Sequence, residues 1–286
     1  MAEAFATTNL LSSLGTSSYT WSNAYAGTDN AAMNDGKLDQ RVSPGSPASN
    51  IDLVIDLGSA QVMKGIAILN HNLLTVLGAA VTVTVRAATD VTITTGVVTA
   101  KSATTLASFN SYSARDPRNK DHLLAWGGST SKRYWQLQFA YTGTINDFAI
   151  GELFAYNSIT TLTRGSQYGS DYDGAHSIVT SVQTLSGDRR AQFLAGPIRQ
   201  KRVAWSMLTD AQKEQLANLY RDGRAGATDV LWAGSYVESS SGAASADQDV
   251  MLARLGSDDF SAPMNDYLLH DPGEFVLTSR GREVGA

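Results

Sequence analysis

The chain has no cysteine in its 286 residues. That excludes disulfide staples, thiolate metal sites and cysteine nucleophiles. Charge is scarce too, at 17% of residues, and the formal net charge is -5. Such a balance gives no basic footprint for nucleic acid and none for an anionic membrane surface. The opening residues, MAEAFATTNLLSSLG, lack the basic start and long apolar stretch of a cleaved signal. No apolar run approaches the length of a membrane-spanning helix. The sequence is therefore read as that of a soluble protein, made in the cytoplasm, with no membrane insertion and no nucleic-acid partner. Nucleotide-binding glycine loops, HExxH and GxSxG are all missing. No pair of carboxylates stands out by spacing as the two groups, about 5 to 10 Å apart, of a glycan hydrolase. The expectation is a protein that is not an enzyme and needs no cofactor.

What is present is strand pattern. Residues 51–72, IDLVIDLGSAQVMKGIAILNHN, alternate with period two: Ile51, Leu53, Ile55 and Leu57 share one face. Asp52, Val54 and Asp56 fall on the other, which reads as an outward strand face and not a catalytic pair. Gly58 and Ser59 read as a turn, after which Ile66 and Ile68 resume the alternation. Further strands are expected at 81–86, 91–99, 134–141 and 150–156, with 107–130 a polar loop. Residues 157–170 read as a linker rich in Thr, Ser and Gly. A chain of this length favours about two domains, each long enough to bury a core. The division falls at 1–158 and 159–286.

The second half holds the one clear helix, near 210–222. Thr209 and Gln212 form a capping box, Ala211, Leu216, Leu219 and Tyr220 give an apolar stripe, and Gly223 and Gly226 end it. Strands are expected around it at 178–185, 191–194, 202–208, 230–233, 250–255 and 274–278. The fold class is mainly β: an N-terminal β-sandwich plus a C-terminal β-rich, α+β domain with one main helix. Residues 239–249, SSSGAASADQD, read as a mobile surface loop.

Candidate functional residues are few. His71, His122, His176 and His270 fall in segments read as loops, with no short ligand spacing between any two. Asp171, Asp173 and Gly174 match the start of a calcium loop, but the twelfth position is Val182 where an acid is required; turn residues are the better reading. Asp29, Asn30, Asn34, Asp35 and Asp39 form a second oxygen-rich group. Trp21, Tyr25 and Trp126, with His71, are the glycan-binding candidates. Aromatic faces in loops either stack on sugars or plug the end of a core, and both roles stay open. Arg189, Arg190, Arg199 and Arg202, with Trp205, are the candidate subunit interface, where Arg and Trp are enriched.

Three stretches of the first half carry a resemblance: AAMNDGKLDQRVS, residues 51–72, and RYWQLQFAYTGTINDFAIGELFAYNS. In order and spacing they resemble the discoidin-like, or galactose-binding-like, jelly-roll family. That resemblance implies loops at one end that bind sugars, lipid headgroups or proteins. It also implies a structural calcium near the early turn, where only Asp35 and Gly36 match. The tryptophan usual after that turn is missing between Lys37 and Val42, as is the extracellular members' cysteine pair. The second half, SGDRRAQFLAGPIRQKRVAWSMLTDAQKEQLANLYRDGRAG with VLW and MLARL following, resembles a domain of bacteriophage tail proteins. Together the resemblances imply a structural virion protein of a phage tail, tail tip or baseplate. It would dock on other tail proteins through the C-terminal domain, form a homo-oligomer, and display a jelly roll for host attachment through cell-surface glycans. A stand-alone carbohydrate-binding protein is the alternative reading.

Overall fold

The computed structural model describes residues 3–22, 30–34, 48–71, 81–106, 121–145, 149–162, 172–183, 189–205, 208–222, 229–234, 236–241, 250–255 and 273–279. The protein is mainly β, as its sequence predicts. Strands β2 (Tyr19–Trp21), β3 (Ala48–Val62), β5 (Thr82–Ala88), β6 (Val98–Thr105) and β8 (Ser131–Ile145) form a five-stranded antiparallel sheet in the order β2-β3-β8-β5-β6. Strands β4 (Gly65–Leu69), β7 (His122–Ala125) and β9 (Glu152–Tyr156) form a second sheet, β7-β4-β9. Ile51, Leu53 and Ile55 of β3 meet Ile66 and Ile68 of β4 in the core between these sheets, with Trp135, Leu137 and Phe139 of β8. This is the β-sandwich that the alternation of residues 51–57 requires.

The third sheet has seven strands. It comprises β1 (Glu3–Ala6), β10 (Thr160–Leu162), β11 (Tyr172–Gln183), β12 (Arg189–Trp205), β13 (Val230–Ala233), β14 (Val250–Leu255) and β15 (Gly273–Ser279). Their order is β10-β1-β13-β14-β15-β12-β11. The chain's first strand therefore lies in a sheet built otherwise from its second half, where Ala4 and Phe5 pair with Ala233 and Trp232. Helix α1 (Asp210–Asp222) lies on one face of that sheet: Leu216 and Leu219 pack with Phe5, Trp205, Trp232 and Met251. The capping box forms. The Thr209 N–H donates to Gln212 Oε1 at 3.1 Å, and the Gln212 N–H to Thr209 Oγ1 at 3.4 Å.

The opposite face of the seven-stranded sheet packs on the back of β7-β4-β9. Ala4, Ala6, Leu231, Ala233, Val250 and Leu252 meet Ala67, Leu69, Leu123, Ala125, Phe154 and Tyr156. The three-stranded sheet is thus buried on both faces, so GIAIL, HLLA and ELFAY read as continuous apolar runs instead of alternating ones. β7, four residues long, goes unseen in the sequence, inside a segment read as a polar loop.

Other expectations are corrected. Gly58 and Ser59 do not end the strand: β3 continues to Val62 through a register shift between Asp56 and Gln61. Gly58 takes φ +75° there, and its N–H donates to the Asp56 carboxylate at 2.8 Å. Residues 91–97 form no strand. They coil around Asp90, which accepts from the Thr92 hydroxyl and from the backbone of Thr94 and Thr95. Threonine satisfies turns as well as strands through its hydroxyl. The linker contains β10. The segment 191–194 and the part of 202–208 up to Trp205 belong to one strand, β12, which runs through Pro197 where no β15 partner needs its missing N–H. Asp173 and Gly174 sit in β11 opposite Lys201 and Gln200, in ladder and not in a turn or calcium loop. Of 239–249, only 239–241 are described, and they are held by hydrogen bonds.

Candidate functional site

One end of the sandwich gathers its long connections. Ala48 at the start of β3 pairs with Ile145 at the end of β8. Leu69, ending β4, pairs with Glu152, opening β9. Ile68 pairs with His122, opening β7, and the Leu106 N–H bonds the Val81 carbonyl. The segments 22–47, 70–81, 106–121 and 146–151 all depart from this end.

At this end lies a buried polar floor. Asn70, His71, Asp121, His122 and Glu152 are all buried. Asn70 takes φ +49°, which Asn tolerates better than most residues, and its N–H donates to the Asp121 carboxylate at 2.9 Å. His122 Nε2 lies 3.0 Å from the Leu106 carbonyl, which can only accept, so Nε2 carries the proton. The neutral ring then has Nδ1 as acceptor, and His71 Nε2, 2.6 Å away, donates to it. Burial lowers the His122 pKa to about 4, outweighing the Leu106 hydrogen bond that raises it. Burial, then the charge of Glu152, pushes the Tyr19 hydroxyl above its ordinary range. A buried imidazole pair of this kind, with His122 held neutral, fixes loop ends in place.

The early loop is anchored alongside. The Trp21 indole N–H donates to Asn30 Oδ1 at 3.1 Å, and the Asn30 amide donates to the Tyr19 carbonyl at 3.1 Å. The Asn34 amide reaches the Leu11 and Leu14 carbonyls. These amides, taken from the sequence as oxygen donors for a cation, thus face carbonyls. Among the described residues no group of three or more His, Asp or Glu side chains is placed to hold a metal. Asp35, like Asp29 and Asp39, lies outside the described residues.

The predicted glycan-binding residues do not converge. Trp21 is 7% exposed and stacks on Phe139 with centroids 6.5 Å apart. Trp126 is 6% exposed, stacks on Trp135 at 5.8 Å and donates to the Met63 carbonyl at 2.9 Å. It lies at the opposite end of the sandwich, beside Lys64. Both rings plug the core, and neither keeps a free face for a sugar. His71 is spent on His122 within the floor. Tyr25 lies outside the described residues. Of the predicted interface, Trp205 is interior: its indole donates to Glu3 Oε2 at 2.9 Å, and Phe5 meets it edge-on at 5.9 Å. Arg189, Arg190, Arg199 and Arg202 lie along β12. Sequence reasoning missed Asn70, Asp121 and Glu152, and the pairing of His122 with His71. The available signal was polar residues abutting the short apolar runs AILNH, DHLL and ELFA.

The other surfaces of the three-stranded sheet are occupied. The β9 edge is covered by Asn9 and Leu10, whose amides donate to the Leu153 and Ala155 carbonyls at 3.2 and 2.8 Å. At the far end Tyr156, Tyr236 and Glu238 form a chain of hydrogen bonds of 3.2 and 2.7 Å. Burial pushes both tyrosine hydroxyls above their ordinary range. The seam between edge strands β6 and β7 is closed from the second half. The Ser239 N–H donates to the Ala125 carbonyl at 3.1 Å, and the Ser102 N–H to the Ser240 carbonyl at 3.0 Å. The buried Lys101 ammonium donates to the Ser239 carbonyl, and desolvation lowers its pKa.

Solved structures with a similar shape match about half of this chain. One is a chitosan-binding module from a chitosanase/glucanase of Paenibacillus sp. IK-5, with 17% identity over 52% of this chain and 99% of that one, at a TM-score of 0.37. Another is the family 32 carbohydrate-binding module of Clostridium perfringens NanJ in complex with galactose, at 16%, 55%, 100% and 0.36 in the same order. A third is the lectin domain of lectinolysin with Lewis B antigen, at 12%, 53%, 97% and 0.38. Likeness at this level bears on neither ligand nor role. No protein-family model matches the chain, and no curated protein matches it.

Proposed function

We infer that the protein is a non-catalytic binding protein whose jelly roll takes a carbohydrate at its loop end. One observation carries the reading: the ends of four connecting segments meet at the buried polar cluster of Asn70, His71, Asp121, His122 and Glu152, while the back and both edges of the three-stranded sheet are covered. The back of the three-stranded sheet is under the seven-stranded sheet. Its edges are held by Asn9 and Ser239. The far end is plugged by Trp126 and the Tyr156–Tyr236–Glu238 chain. The resemblance of residues 8–157 to the galactose-binding-like family points the same way. Of the four predicted glycan-binding residues, Tyr25 is the one that no described contact assigns to the core or the floor, and it is the candidate for stacking on a sugar ring. Single-site affinity is expected to be weak, and several copies on one particle would raise it through effective concentration.

A glycan array followed by calorimetry on the full chain tests this. The expected result is millimolar-range binding of one sugar class, lost in Tyr25→Ala and retained in Arg133→Ala at the other end of the sandwich. An array without signal at millimolar glycan, or binding that Arg133→Ala abolishes, overturns it.

A second reading, a structural component of a phage tail, rests on the resemblance of residues 176–256 to tail proteins. Immunolabelling of purified particles tests it, and labelling of no particle rejects it.

A further inference from the structure

Among the described residues, β11 has a single strand neighbour, β12. The two pair from Tyr172↔Arg202 to Gln183↔Arg189. On its other side β12 pairs with β15 only from Gln200 to Trp205. Between Arg189 and Arg199 the hairpin is therefore a two-stranded ribbon with no third strand among the described residues. Such a ribbon is marginal in water, and among the described residues no strand bonds the outer edge of either strand there.

The two edges differ in residue type. Along β12 stand Arg189, Arg190, Pro197 and Arg199, the charges and proline that protect an edge from further pairing. Along β11 from Ala175 to Gln183 the sequence is AHSIVTSVQ, with no Lys, Arg, Asp, Glu or Pro. Ile178, Val179, Thr180 and Val182 are strong strand formers. Among the described residues one edge is guarded and the other is left without a neighbouring strand.

We propose that the open edge of β11 pairs antiparallel with β11 of a second copy of this chain, about a twofold axis. A strand paired antiparallel with itself is self-complementary and closes on two chains. Its uncharged centre brings no like charges face to face, whereas β12 against β12 would oppose arginines. The other end of the same sheet is β10, whose three residues, Thr160–Leu162, are too short to match β11 in a head-to-tail array. The guarded β12 edge stops further addition. The outcome is one sheet continuous across both chains, the strand-addition mode of recognition. This rests on register and residue type, and it stands apart from the glycan reading.

Light scattering coupled to size exclusion of the full chain tests it. The expected mass is twice the 30.4 kDa of one chain, and Thr180→Lys with Val182→Lys weakens association by roughly tenfold or more through like-charge opposition. Because the chain has no cysteine, single-cysteine variants at 178–182 give a second readout independent of those lysines. Oxidative crosslinking of a chain to its copy is expected at the position nearest the twofold and not at Ser12 or Ser102. A monomer at the highest soluble concentration overturns the proposal, as does a dimer unaffected by the lysines and uncrosslinked along 178–182. Glycan affinity per chain, measured on the lysine variant, is expected to be unchanged.

Discussion

His122 shows how much one side chain can be asked to hold. It joins the end of β4 to the end of β6 through His71 and the Leu106 carbonyl, and it does so only as a neutral ring with its proton on Nε2. The unfolded chain takes up this proton near pH 6.5, while the folded ring resists it until about pH 4. The contribution to stability is therefore intact above pH 6.5, falls as pH drops through that window, and is gone below pH 4. Its size is on the order of 3 kcal/mol. Urea unfolding midpoints from pH 7 to 4 are expected to fall more steeply for the native chain than for His122→Asn, which starts less stable but does not titrate. Equal slopes would show that another group governs the window. Gly65 gives a second test at this scale. A Cβ built there meets the Tyr156 ring, so Gly65→Ala is expected to cost roughly 1–3 kcal/mol by overpacking, read as a lowered unfolding midpoint.

Elements were legible in proportion to how asymmetric their surroundings are. β3 and β8 have one face in a core and one outside, and their alternation showed in the sequence. Helix α1 announced itself by its stripe and by Thr209 and Gln212; Thr209→Ala is expected to cost about 1 kcal/mol, measured by thermal unfolding. β7 did not show, because its four residues, HLLA, are too few to carry a period and abut a polar stretch. Residues 91–97 misled because threonine favours strands by its branched carbon and turns by its hydroxyl. There the nearby Asp90 carboxylate decides, and its hydrogen bonds from Thr92, Thr95 and Thr94 hold its pKa well below the ordinary carboxylate value. Asp90→Ala is expected to speed amide exchange at Thr94 and Thr95 while leaving β5 and β8 protected. Slow exchange at those amides in the variant would assign the turn to Gly96 and Thr89 instead.

The described residues form a stack: five-stranded sheet, three-stranded sheet, seven-stranded sheet, helix. The middle sheet serves two cores at once, Ile66 and Ile68 facing one while Ala67 and Leu69 face the other. Ala4, Ala6, Ala67, Ala125 and Ala233 let the second pair of sheets pack. A single urea transition is expected, with tryptophan fluorescence and far-ultraviolet circular dichroism coinciding, because neither half can lose its sheet without exposing the shared core. Two separated transitions would show that the second core contributes little. Ala67→Leu is expected to lower the midpoint by about 1–3 kcal/mol through overpacking.

By itself the sequence determined the β-rich class, the alternating strands of the sandwich, the helix with its cap, and the exclusion of cysteine chemistry. These follow from local periodicity and residue type, which act over a few residues. Only the tertiary structure decided that Trp21, Trp126 and Trp205 are core, that β1 joins the second half, and that His71 and His122 meet across a separation of 51 residues. Burial and hydrogen-bond partnership depend on what arrives from distant parts of the chain, and local pattern does not record that.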